Sequence, residues 1–80
     1  MNIIFGKEAS HFLEKLPKDI SRRIYNKIMS TENNPFHFFE RLEGNKFYKL
    51  RVGDYRVIAD IDKQINIRFI GHRKNIYEKV

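Results

Sequence analysis

The chain has 80 residues, 41% of them hydrophobic, with no cysteine and a formal net charge of +6 from 16 Lys and Arg against 10 Asp and Glu. That length allows one domain, residues 1–80, burying only about 60% of its unfolded surface. Without cysteine it has neither a disulfide framework nor a thiolate zinc site, which favours a reducing, cytoplasmic setting. The charge excess is uneven: residues 1–45 carry seven basic and six acidic side chains, residues 46–80 nine and four. A cationic surface concentrated in this way is the footprint of a polyanion such as nucleic acid; solubility alone is the competing reading.

The run Ile3-Ile4-Phe5, ended by Gly6, reads as a first strand. It is far too short for a signal-peptide core or a membrane span, so neither secretion nor insertion is expected. From Lys7 to Leu16 the apolar residues Ala9, Phe12, Leu13 and Leu16 recur at the spacing of one helical face, and Pro17 stops that helix. A second helix starts near Lys18, with Ile20, Ile24 and Ile28 in one stripe, and ends near Glu32, before Asn33-Asn34-Pro35. The short link at Pro17 makes the two helices an antiparallel hairpin, their apolar stripes turned to a common sheet. Phe36-His37-Phe38-Phe39 reads as a loop whose rings cover a core edge or, beside cations, stack on bases. Leu42 to Asn45 reads as a turn into the sheet.

Phe47 to Val52, Tyr55 to Ile61 and Ile65 to Gly71 are rich in aromatic and β-branched residues and read as a three-stranded meander. With Gly53-Asp54 as a two-residue turn, Val52 faces Tyr55, Arg51 faces Arg56, Leu50 faces Val57 and Lys49 faces Ile58. Leu50, Val52, Tyr55 and Val57 then line the helix side. With Asp62-Lys63-Gln64 as the next loop, Ile67 pairs with Ala59 and Phe69 with Val57 on that same side. The opposite face should carry Lys49, Arg51, Arg56, Arg68 and His72, with Arg73 at the strand's end. Like charges opposite one another, as at Arg51 and Arg56, destabilise a sheet unless an anion relieves them; simple solvation of an exposed face is the plainer account.

Metal-free cleavage of RNA needs a base for the 2′-hydroxyl, positive charge on a crowded phosphorane and a proton for the leaving 5′-oxygen. Arg suits the phosphate, being a permanent planar fork of donors, and is a poor proton donor for the same reason. Lys49 serves as a base only where neighbouring charges bring its pKa well below about 10.4, whereas His72 needs no such help. Tyr77 can donate a proton or stack on a base. No Gly-rich nucleotide loop, His-Glu zinc motif or serine elbow is present, and His11, His37 and His72 are too scattered in sequence for a ligand cluster.

Tyr48-Lys-Leu-Arg-Val-Gly-Asp-Tyr-Arg-Val-Ile58 and Gly71-His-Arg-Lys-Asn-Ile-Tyr77, with Leu42-Glu-Gly44 ahead of them and a helical hairpin upstream, resemble the RelE-like toxins of the RelE/ParE toxin–antitoxin superfamily. The resemblance covers nearly the whole chain. It implies an α+β fold of order β-α-α-β-β-β, microbial ribonuclease-like, with an antiparallel sheet under a helical hairpin. It also implies an endoribonuclease that enters the ribosomal A site and cuts mRNA without metal or other cofactor. By the same resemblance Lys49 is a candidate base and Arg56 the transition-state arginine. Arg73 contacts phosphate or protonates the leaving group, and Tyr77 stacks on or orients a base. Arg51, Arg68 and His72 are further phosphate-binding candidates. Phe47 departs from the family pattern, standing where a second basic residue is often found. The implied partners are a RelB-like antitoxin, in a hetero-oligomer, and the ribosome with its mRNA. The alternatives are a ParE-like gyrase poison that cuts no RNA, or a weakly catalytic relative that mainly binds antitoxin.

Overall fold

Pro17 does the first piece of structural work. It biases Leu16 to an extended backbone (φ −82°, ψ 154°), so helix α1 closes at Lys15 and α2 begins at Lys18. The computed structural model describes residues 1–80. In chain order it contains β1 (Ile3–Phe5), α1 (Lys7–Lys15), α2 (Lys18–Met29), a one-turn α3 (Pro35–Phe38) and β2 (Glu40–Arg41). Then come β3 (Tyr48–Val52), β4 (Tyr55–Ile61), β5 (Ile65–His72) and a C-terminal 3-10 helix (Ile76–Lys79). The expected elements are all present. The two-residue β2, the single-turn α3 and the C-terminal helix are additions, and α2 stops at Met29, three residues short of the expected end.

The five strands form one sheet in the order β1-β5-β4-β3-β2. It is antiparallel except at one edge, where β1 runs parallel to β5 with Ile3 opposite Ile65. Both helices pack on one face. Ala9 of α1 and Ile24 and Ile28 of α2 are fully buried against Leu50, Val57, Ala59, Ile65, Ile67 and Ile70. Each buried isoleucine contributes about 1.5–3 kcal/mol relative to its exposed state.

The β3–β4 register matches the sequence reading at every pair from Lys49↔Ile58 to Val52↔Tyr55. The β4–β5 register corrects it. Ile67 does pair with Ala59, but a bulge at Ile58/Ala59 makes Phe69 the partner of Ile58 and Ile70 the partner of Val57. Phe69 therefore lies on the face away from the helices, edge-on to Phe47 at 6.4 Å, and Ile70 takes the core position at 3% exposure. The same one-residue insertion moves His72 to the helix side, opposite Tyr55, with the two rings 5.8 Å apart. The physical reason is the doublet Phe69-Ile70: strict alternation would expose Ile70, and the extra residue buries it.

The face expected to be open is also partly covered. Ile58 and Ile76 are buried there, outside the main core cluster. Ile76 fits because residue 71 is glycine: a Cβ at Gly71 would stand 2.9 Å from Ile76 Cδ1. The bulge that turns Gly71 to this face thus makes room for the C-terminal helix.

Candidate functional site

Lys49 and Arg51 alternate with core residues along β3, and Arg56 sits directly across from Arg51 on β4, so three cations share the face away from α1 and α2. The C-terminal helix brings Tyr77, 44% exposed, to the same place. Together these four line a cleft of about 450 Å³ whose other walls are Lys27 of α2, His37 and Phe38 of α3, Glu40 of β2 and Leu50. Arg56 is positioned by its own turn, its Nη1 donating to the carbonyl oxygens of Gly53 and Tyr55 at 2.9 Å each. Its other N–H groups remain for a ligand. Gly53 (φ +59°) supplies the left-handed backbone that this turn requires.

The cleft is predominantly cationic, with four basic side chains against one carboxylate. The molecule's ion pairs are Arg68–Asp60, Arg73–Asp54 and Lys79–Glu8, and none involves Lys27, Lys49, Arg51 or Arg56. Glu40 is the one carboxylate in the lining. It is the register partner of Lys49 across β2–β3, so both lie on one face. Lys27 Nζ stands 5.1 Å from the Phe38 ring centroid, and the His37 ring meets Phe38 edge-on at 4.9 Å, which makes an aromatic wall with a cation beside it.

Of the residues nominated from sequence, Lys49, Arg51, Arg56 and Tyr77 are brought together and three are not. Arg73 projects beyond β5, where its backbone N–H donates to the Asp54 carbonyl at 2.8 Å and its guanidinium pairs with the exposed Asp54 carboxylate at 3.5 Å. Arg68 is the residue inserted by the bulge. Its guanidinium forks onto Asp60 at 2.9 and 3.3 Å, and this hydrogen bond is the main reason the Asp60 carboxyl is held below its ordinary value, against the opposing effect of burial. His72 lies on the other side of the sheet, its Nδ1 accepting from the Lys74 N–H at 3.2 Å. Phe47, the departure from the family pattern, packs against Phe69, with Lys46 Nζ 5.6 Å from its ring.

Lys27, His37 and Glu40 were not anticipated. Lys27 reads as ordinary helix surface, and Glu40 reaches the cleft through a strand too short to show a period. His37 had one available signal, its place in an aromatic run beside cations.

A mostly antiparallel sheet under a helical hairpin, with a cleft rich in cations away from the hairpin, defines the class of protein: a small α+β domain with a candidate polyanion site. A family model described as "ParE toxin of type II toxin-antitoxin system, parDE" matches residues 3–77. The archaeal RelE of the Pyrococcus horikoshii OT3 RelE–RelB complex is 31% identical, with 92% of this chain and 96% of that chain covered and a TM-score of 0.75. The RelB–RelE complex of Methanococcus jannaschii gives 27% identity, 95% and 96% coverage and a TM-score of 0.74. The RelBE2 complex of Mycobacterium tuberculosis, at 24% identity, 90% and 96% coverage and a TM-score of 0.79, shares the fold. No curated protein sequence matches the chain. The chain belongs to the RelE/ParE superfamily and is a toxin of the type II toxin–antitoxin class.

Proposed function

We propose that this toxin is an endoribonuclease that cuts mRNA in the ribosomal A site and so arrests translation. The observation that carries the reading is the convergence of Lys49, Arg51, Arg56 and Tyr77 on one cleft with no ion pair among its cations. A 2′-hydroxyl attacks the adjacent phosphorus, the 5′-oxygen leaves, and the strand ends in a cyclic phosphate. Arg56, held by two carbonyls, and Arg51 opposite it face the extra negative charge of the phosphorane, which a fixed donor stabilises most where charge develops. Lys49, Glu40 and His37 are the groups that can exchange protons with the two reacting oxygens. Tyr77 and the Phe38–His37 wall suit a splayed-out base between aromatic surfaces. Arg73 lies outside the cleft, and its exposed pairing with Asp54 is weak enough to yield to a phosphate.

A cognate antitoxin of RelB type is the second part of the proposal, supported by the solved relatives being RelB–RelE complexes. An acidic segment laid over the cleft would neutralise it. The cell compartment that holds translating ribosomes, the cytoplasm, is where such a protein acts.

Mapping of mRNA 5′ ends on translating ribosomes tests the reading. Cuts should fall at the A-site codon and be lost in Arg56→Ala, which removes about 2.7–4 kcal/mol of transition-state stabilisation, or 100- to 1000-fold. Intact mRNA with the wild-type protein refutes it. The ParE family match favours one competing reading, poisoning of DNA gyrase. Accumulation of cleaved gyrase–DNA complexes with intact mRNA would establish that instead.

A further inference from the structure

We propose that the groove between α2 and the β3–β4 turn is a second phosphate site, receiving the backbone phosphate of a nucleotide that flanks the one in the cleft. The inference rests on the RNA reading above and extends it from one scissile phosphate to a track along the strand. The groove, about 470 Å³, is lined by Arg23, Asn26, Lys27, Ser30, Arg51 and Gly53, with Val52 at its base. Lys27 and Arg51 also line the cleft, so the two depressions adjoin and share two cations.

The lining is chemically one-sided. It contains two guanidinium groups, an ammonium and a carboxamide, the donor types that contact phosphate oxygens, and no carboxylate. Ser30 Oγ–H already donates to the Lys27 carbonyl at 2.6 Å, so the donors available to a ligand are those of Arg23, Asn26, Lys27 and Arg51. Arg23 and Lys27 stand one turn apart on the exposed side of α2, and like charges at that spacing destabilise a helix. Neither is relieved by an ion pair.

Gly53 fixes the geometry. A Cβ at this position would lie 3.3 Å from both Nη atoms of Arg23, so the guanidinium rests directly on the bare turn. On the other strand Arg56 Nη1 donates to the carbonyl oxygen of the same residue. One glycine thus sets Arg23 of the groove and Arg56 of the cleft relative to each other. Two arginines gathered around one turn suit neighbouring phosphates of one strand.

The test is the salt dependence of binding to a short single-stranded 2′-O-methyl RNA, which cannot be cut, followed by fluorescence anisotropy. Removing one phosphate contact makes the slope of log K against log salt shallower by about 0.7 for a single strand. Arg23→Gln should show that change and a several-fold loss of affinity at low salt, while Arg23→Lys keeps the wild-type slope. Replacing strand phosphates one at a time by uncharged methylphosphonate should reveal one linkage, beside the cleft-bound one, whose loss weakens wild type but not Arg23→Gln. An Arg23→Gln protein with wild-type slope and affinity overturns the second site and leaves the cleavage reading untouched. Binding that depends on Arg23, together with intact ribosomal mRNA, keeps the site and sinks the cleavage reading. Failure of the wild type to bind the strand overturns the second site, while the cleavage reading stands or falls on the ribosomal mapping alone.

Discussion

Ile76→Ala tests how the cleft acquires Tyr77. Ile76 is 1% exposed and lies outside the main core cluster, on Gly71. The substitution removes three buried carbons, about 2.4 kcal/mol at about 0.8 kcal/mol each. The other side-chain anchor of the C-terminal helix is the Lys79–Glu8 pair, 3.8 Å long and exposed on both sides, which contributes little. Docking of the helix therefore depends chiefly on Ile76, and the docking equilibrium constant should fall by up to about 50-fold, since 1.4 kcal/mol is tenfold. Amide hydrogen exchange should quicken at residues 76–79 while the buried strands β4 and β5 keep their protection. Cleavage of ribosome-bound mRNA should drop toward the level of Tyr77→Ala. The double variant should then be no worse than Tyr77→Ala alone, because both changes withdraw the same ring. Additive losses, or unaltered exchange in the C-terminal helix, would refute this account of the anchor.

The Arg68 hydrogen bond holds Asp60 below its ordinary 3.8, so its carboxylate adds stability that is present above that pH and disappears as pH falls through the lowered value. Denaturant titrations of wild type and Asp60→Asn should therefore differ by a constant amount at neutral pH, and the two curves should converge below about pH 4. Arg68→Ala and His72→Ala should leave mRNA cleavage within about twofold of wild type, one side chain being tied to Asp60 and the other lying across the sheet from the cleft; a loss of a hundredfold in either would return it to the site. Single-turnover pH profiles of Lys49→Ala, Glu40→Gln and His37→Ala identify the proton-transfer groups. The base is the residue whose removal abolishes the limb on which rate rises with pH, and profiles unchanged in shape for all three would exclude them together.

Sequence reading succeeded where one rule dominated. Gly53-Asp54 between alternating runs determines the β3–β4 register, and with it the shared face of Lys49, Arg51 and Arg56. It failed on β5 because alternation was carried through Phe69-Ile70, where two adjacent apolar residues already signal a bulge; that one residue transferred His72 to the wrong face. The missing walls of the cleft have a different origin. β2, α3 and the C-terminal helix are two to four residues long, too short for any hydrophobic period, and are held by tertiary contacts such as Ile76 on Gly71. Lys27 and Glu40 enter the site only through such placement.

The parallel edge pairing bears on how the toxin comes into being. Ile3 finds its partner in Ile65, so nearly the whole intervening chain must be closed into a loop, and β5 also supplies Ile65, Ile67 and Ile70 to the faces that α1 and α2 need covered. A product that stops before β5 has an orphan first strand, two helices with bare apolar stripes and no Tyr77. The strand made last is therefore the one on which β1 and both helices depend for their partners. In a toxin this makes the stretch from β5 onward, late in the chain, the part on which completion of the cleft depends.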